Sequence, residues 1–418
     1  MSNTQVSDVV ERFMRYVQVD SQSDEAYEMQ TPSTKIQFDM AQMLKTELEA
    51  LGAEDIKVDD HAYVTASYPA SKDAKDLPAL GFCAHIDTAP DAPAQSVHPH
   101  IVHYEGEELV CGVVDGKKIA TTPEQCPYLE RFQGQDIICS DGTTLLSADD
   151  KAGVAEILSL IARLKADPSI AHPEIKIAFV PDEEIGDGAE LLDIEDFGAT
   201  WAYTVDGEEI DEFSYECFNA AEAKLIVHGT MVHPGSAKNI MVNAITVLME
   251  ADAMLPVHDR PEYTEGYEGF FHPTNIEGSA FEASCSYIIR DHDADKFARR
   301  QQMLQDIVDF LNKRYGQGTV EVVLKQQYRN MAEKFDDCQF LVDNAVAAMK
   351  QCGIDPEIVA IRGGTDGAQL TFRGLPCPNI ATGGCQAHSI REFIPVSTME
   401  TTVDILTALV EKFAVPQV

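Results

Sequence analysis

The segment ALGFCAHIDT, residues 79–88, runs from uncharged, mostly apolar residues straight into His85, Ile86 and Asp87. A short apolar run of this kind reads as a buried strand, whose side chains alternate between its two faces. His85 and Asp87 are two apart, so they project to the same side where the strand gives way to a loop. One can hold a metal ion while the other acts nearby or orients the site. Cys83 shares that face and reads as a packed strand thiol. The design recurs along the chain. IKIAFVPDEEIG (175–186) carries Glu183 and Glu184 to a strand end, and WAYTVDGEE (201–209) does the same for Asp206. SADDKAG (147–153) sets Asp149 and Asp150 directly before a helical pattern, and PNIATGG (378–384) is followed by His388.

Apolar runs such as these alternate with helical patterns. Val6, Val9, Val10, Phe13 and Val17 have helical spacing, as do Ile36 to Leu51, with Gly52 as a stop, and Val154 to Leu164. Strand and helix in alternation predict an α/β sheet, largely parallel and covered on both faces. Residues 218–330 read differently. KLIVHG is a strand, Asn239 to Leu255 a helix, and Gly269–Gly278 and Phe281–Arg290 two extended segments. A long amphipathic helix, Ala294 to Tyr315, and a closing strand, TVEVVLKQ, follow. That order, βαββαβ, is a ferredoxin-like α+β arrangement. The expected organisation is one α/β domain, 1–217 and 331–418, interrupted by an α+β domain at 218–330. The last helix spans Val396–Phe413.

With 418 residues and a net charge of -39, the chain has material for two domains and a strongly negative field. Such a field repels nucleic acid and anionic membrane, so neither is an expected partner. The first residues lack the basic and apolar regions of a secretory signal, and no apolar run approaches the ~18 residues that span a bilayer. Ten scattered cysteines without a C-x-x-C pair read as reduced thiols, which points to the cytoplasm.

Each acidic motif has a structural reading beside its chemical one. An aspartate before a helix is ordinarily an N-cap, and Asp150 suits that role, which leaves Asp149 to be explained. A carboxylate can bridge two cations through its two oxygens. The run Asp182, Glu183, Glu184 is either a solvated acidic loop or a cation site, because crowded acids resist ionisation without a cation or solvent. His85, Asp149, Glu184, Asp206 and His388 all fall just beyond predicted strands, where α/β sheets gather their ligands. Imidazole and carboxylate are the donors Zn²⁺ takes when it keeps a position open for water. The glycine-rich RGGTDGAQ lacks the G-K-[ST] of a phosphate loop, and no G-x-S-x-G elbow is present.

Together, HIDT, LLSADDKAG, PDEEIG, YTVDG, VHPG, TEGYEGF, IRGGTDGAQL and the final His388 resemble the peptidase T family. Its members are tripeptide aminopeptidases within the zinc-dependent aminoacylase/glutamate carboxypeptidase superfamily. The resemblance covers nearly the whole chain and implies a zinc-peptidase catalytic domain with an inserted lid that also mediates homodimerisation. It implies two Zn²⁺ per subunit, with Co²⁺ or Mn²⁺ as substitutes, and a short peptide as substrate. His85 and Asp206 would complete one metal site, Glu184 and His388 the other, and Asp149 would bridge them, followed by a cis peptide to Asp150. Glu183 would be the general base, Asp87 would orient His85, and His233 of the lid would reach the oxyanion. Arg290 or Arg362, the latter favoured, would pair with the substrate's C-terminal carboxylate. Sister enzymes on the same scaffold, dipeptidases and N-acyl amino acid amidohydrolases, are the alternative. The family usually carries glycine after the last metal histidine. Here Ser389 follows His388, so a backbone that needs glycine there would be strained.

Overall fold

Val9, Val10, Phe13 and Tyr16 are buried at helical spacing, and Asp8–Tyr16 is accordingly an amphipathic helix. The computed structural model describes residues 7–27 and 30–417, so Val6 lies outside it. Gln37–Leu51 is the second helix. It stops at Gly52, whose φ of 86° suits a residue without a Cβ.

The main sheet has eight strands, in the order Glu54–Val58, Val64–Tyr68, Ile175–Val180, Leu80–His85, Trp201–Val205, Asn379–Ile380, Glu212–Cys217 and Glu357–Ile361. Leu80–His85 is parallel to both Ile175–Val180 and Trp201–Val205, which in turn is parallel to Asn379–Ile380. The flanks are antiparallel, so the sheet is mixed where a largely parallel one was expected. Residues 59–63 are too few for the crossover that a parallel connection between the first two strands needs. The helix Ala148–Ala166 covers one face of the central strands, beside Asp8–Tyr16 and Val396–Lys412. On the other face Cys83 packs with Val180, Ala202, Leu370 and Leu375, as a buried strand thiol.

Two further pieces were not foreseen. His100–Tyr104, Gln135–Cys139 and Phe393–Pro395 form a three-stranded sheet. Leu109–Val114 and Lys117–Thr121 form a hairpin across Asp115 and Gly116, both at positive φ. An Asp-Gly pair between apolar stretches is the signal that announces such a turn.

A second unit holds an antiparallel sheet in the order Phe270–Gly278, Glu282–Asp291, Asn219–His228, Val320–Tyr328. Helices Ala244–Ala253 and Ala294–Tyr315 pack on it around Leu225, Leu248, Phe271, Tyr287, Leu304 and Leu311. The first of these begins at Ala244 and not at residue 239, because the Asn243 side chain accepts the backbone N–H groups of Ile245 and Thr246 and caps it. The chain divides into one unit of residues up to Tyr215, Lys334–Val359 and from Thr365 onward, and another of Glu216–Glu333 with Ala360–Gly364. Among the described residues no helix is long and apolar enough to cross a membrane.

Gly153 marks the tightest approach of helix to sheet. A Cβ there would stand 1.8 Å from the carbonyl oxygen of Val205 and 2.5 Å from Asp150 Oδ1. Gly153→Ala should force the helix off the strand that leads to Asp206. The expected loss is ~1–3 kcal/mol, the range for overpacking a tight core, read by urea unfolding. An alanine variant as stable as the parent would contradict this packing.

Candidate metal centre

Three neighbouring parallel strands end side by side, which brings His85, the 182–184 turn and Asp206 to one edge of the sheet. The helix Ala148–Ala166 adds Asp149 and Asp150 at its start, and the loop before Phe393–Pro395 adds His388. Asp149 takes its two oxygens in different directions. Oδ1 lies 2.9 Å from His85 Nε2, and Oδ2 lies 3.5 Å from His388 Nε2. His388 Nε2 is also 2.9 Å from Glu184 Oε2. Ligand atoms of His85, Asp149 and Glu184 fall within 4.8 Å of one another, as do those of His85, Asp150 and Asp206. All five expected ligands therefore converge on one region of the first unit.

Supporting contacts orient the imidazoles. His85 Nδ1 is 3.1 Å from the Asp87 carbonyl oxygen and 3.4 Å from its carboxylate, so Nδ1 carries a proton and Nε2 is the nitrogen turned to Asp149. Asp87 also accepts the backbone N–H groups of Glu183, at 3.0 Å, and Glu184, at 3.2 Å. One buried carboxylate thus fixes both His85 and the turn that carries the two glutamates. His388 Nδ1 meets Asp91 Oδ2 at 3.0 Å, an orienting pair that sequence reasoning did not identify.

The peptide bond Asp149–Asp150 is cis. Asp150 accepts Gly153 N–H at 3.1 Å through Oδ1, as a helix cap does, and the His85 backbone N–H at 3.1 Å through Oδ2. The doubt attached to Ser389 does not materialise. The positive φ of 60° belongs to His388 itself, and Ser389 is not among the residues in that region. Its hydroxyl donates to the Gln386 carbonyl and accepts the Arg391 N–H, closing the turn.

The donors fit divalent cations. Imidazole Nε2 and carboxylate oxygens suit such ions, and Glu184 Oε1 is buried without a hydrogen-bond partner among the described residues. Without a cation the acids repel. Burial, then the charge of Asp149, pushes Glu184 up to about 8, and the same two causes push Asp206 up to about 6. Burial and then Asp366 hold Glu183 well above the usual carboxylate range, and burial raises Asp366 to about 7. Burial works against ionised Asp149, but hydrogen bonds from His388 and His85 outweigh it and lower its pKa. The hydrogen bonds that His388 donates to Asp149 and Glu184 raise its own pKa to about 11.

The remaining expected site residues lie in the second unit. His233 is exposed, and its Nδ1 accepts the Gly235 N–H at 3.1 Å, which leaves the proton on Nε2. Arg290 is half-buried over the Tyr328 ring, with Nη1 donating to Gln327 Oε1 and the Ile289 carbonyl. Arg362, the arginine favoured as the carboxylate clamp, is engaged within the second unit. Its Nη1 donates to the carbonyls of Gly266 and Glu268, and its Nη2 to the carbonyl and hydroxyl of Thr264. Four terminal N–H groups are thereby spent on holding the TEGYEG loop, and none remains for a bidentate fork.

Residues 215–319 match the family model described as the peptidase dimerisation domain. The chain is 46% identical to peptidase T of Alkaliphilus oremlandii, over 98% of this chain and 100% of that one. It is 48% identical to peptidase T of Bacillus velezensis, over 97% and 98%. The crystal structure of aminopeptidase PepT from Bacillus cereus superposes with a TM-score of 0.76 at 25% identity, covering 98% of both chains. A dinuclear metal-binding peptidase of the M20 family from Bacillus subtilis shares the fold, with a TM-score of 0.65 at 11% identity over 97% of each chain.

Raised pKa values give the cation-free protein a signed pH dependence. Folded Glu184 and Asp206 keep their protons to about 8 and about 6, whereas unfolded carboxyls release them near ~4. The folded state binds more protons across that window, so stability falls as pH rises. His85 and His388, both raised, act in the same direction above ~6.5, and lowered Asp149 acts only below ~4. The thermal midpoint of chelator-treated protein should drop between pH 6 and pH 8, and added zinc should flatten that drop. A cation-free midpoint that is level across this range would contradict the crowding.

Proposed function

Because this chain belongs to the peptidase T family, we propose that it removes the N-terminal residue of tripeptides at a centre of two zinc ions. The observation that carries this reading is the division of the Asp149 oxygens between His85 and His388. That is the posture of a bridging carboxylate, with Glu184 joining His388 on one side and Asp206 joining His85 on the other. Two cations bound there would supply an acidic water and polarise the scissile carbonyl. Zinc is the ion this donor set favours, and cobalt or manganese would substitute for it.

The protein's own groups carry the proton traffic. Glu183 neighbours the ligand Glu184 on a turn pinned by Asp87, a position suited to a general base beside the cations. It takes a proton from the attacking water and returns it to the leaving amine. Asp87 keeps the His85 tautomer. His233, whose Nε2 carries the proton, donates to the developing oxyanion, and Arg290 pairs with the substrate's C-terminal carboxylate. The enzyme works in the cytoplasm, and it does so as a homodimer through the second unit, for which the dimerisation-domain match is the support.

Sister chemistries, cleavage of dipeptides or of N-acyl amino acids, would use the same centre. Zinc-loaded protein offered all three substrate classes should turn over tripeptides fastest. Faster cleavage of N-acyl amino acids would sink the tripeptide assignment. Glu183→Ala should retain both metals and nearly the same KM while kcat falls at least ~10²-fold. Glu184→Ala should lose metal, with added zinc restoring part of the activity. The reverse pattern would exchange the roles of the two glutamates. Arg290→Ala should raise KM for tripeptides and leave KM for their C-terminal amides unchanged.

A further inference from the structure

Glu392 lies four residues beyond His388, is 2% exposed and is not among the ligand groups. Its carboxylate is nevertheless tied to the turn that leads into Asp149. Oε2 accepts the backbone N–H of Leu146 at 2.7 Å and of Ser147 at 2.8 Å, and Oε1 accepts that of Asp149 at 2.9 Å. Ser147 sits at a φ of 68°, so the chain turns sharply there, and three bonds to one carboxylate hold the turn. The peptide unit entering Asp149 takes its orientation from Glu392 Oε1. On its own strand side, the Glu392 N–H bonds to the Ser389 carbonyl at 3.1 Å, closing the turn directly after His388. Phe393, the next residue, pairs with Cys139 in the three-stranded sheet.

We propose that Glu392 is a positioning residue that fixes the Asp149 carboxylate against the His388 imidazole, and so sets the separation of the two cation positions. The role demands acceptors on both oxygens. A glutamine of the same size would turn one of them into an NH₂ group facing a backbone N–H, donor against donor. The inference rests on the reading of Asp149 and His388 as cation ligands.

Cation affinity separates this role from a purely structural one. Zinc-binding constants of the parent, Glu392→Gln and Glu392→Asp are measured by competition with a chromogenic chelator, beside thermal midpoints and kcat and KM at saturating zinc. Asn312→Ala is the comparison, because Asn312 bridges the backbone N–H and carbonyl of Val320 in the second unit. Glu392→Gln should weaken the looser of the two zinc ions at least tenfold and lower kcat more than it changes KM. Glu392→Asp keeps both acceptors and should fall between. Asn312→Ala should lower the midpoint while leaving both affinities intact. Equal zinc affinities in parent and Glu392→Gln, with only the midpoint lowered, would overturn the proposal. Parent protein that binds no zinc would overturn it together with the ligand assignment beneath it. Should the glutamine variant not fold, hydrogen exchange on the cation-free parent decides. The amides of Leu146, Ser147 and Asp149 should exchange slowly, and exchange at the rate of open loops would overturn the role.

Discussion

Like charge crowded at one end of three parallel strands is the condition the first unit is built around. Parallel strands must end together, so acids placed at their carboxyl ends meet whether or not they attract. The carboxylates divide into two kinds by what they accept. Asp87 takes two backbone N–H groups, Asp150 two and Glu392 three, so each is tied to the chain itself. Asp149 and Glu184 instead face imidazoles, and one buried Glu184 oxygen has no hydrogen-bond partner among the described residues. The first kind holds the loops still. The second kind turns its oxygens to the two histidines of the candidate centre.

Much of this was legible because it obeys short periods. Apolar runs that end in acids fixed the places of His85, Glu184 and Asp206, and a surplus acid before a helix singled out Asp149. Asp150 behaves as the cap its position suggested, while also accepting the N–H of His85. Asp91 and Glu392 escaped because they lie in irregular loops, where no period says which way a side chain points. Their partners are 297 and 243 or more residues away in the chain. Contacts at that separation come from how the strands are ordered in the sheet, and sequence spacing carries no trace of it.

Arg362 shows a different limit. An arginine in a glycine-rich string beside other functional motifs invites a role in binding anions. The structure instead gives it a full set of backbone and hydroxyl acceptors and two aromatic rings, Phe218 and Phe270, on which its guanidinium rests. A guanidinium stacked on rings and saturated with acceptors is a structural rivet, and residue type alone does not distinguish that from a free one. Arg290, with Nη1 engaged by Gln327 and the Ile289 carbonyl, retains more donors for a ligand.

The short return of the chain into the second unit has a bearing on how such proteins are cut and recombined. Residues 360–364 belong with 216–333 although a whole helix and the start of a strand lie between them. They bring Arg362 to the Thr264–Glu268 loop, the Ile361 carbonyl to His292 at 3.0 Å, and Gly364 so near the Tyr328 ring that a Cβ would stand 2.9 Å from it. Excising residues 216–333 as a cassette would therefore leave behind a piece of the unit's own interior. A graft of this lid onto a related scaffold would have to carry two separate stretches of sequence, or the recipient would have to supply the second already.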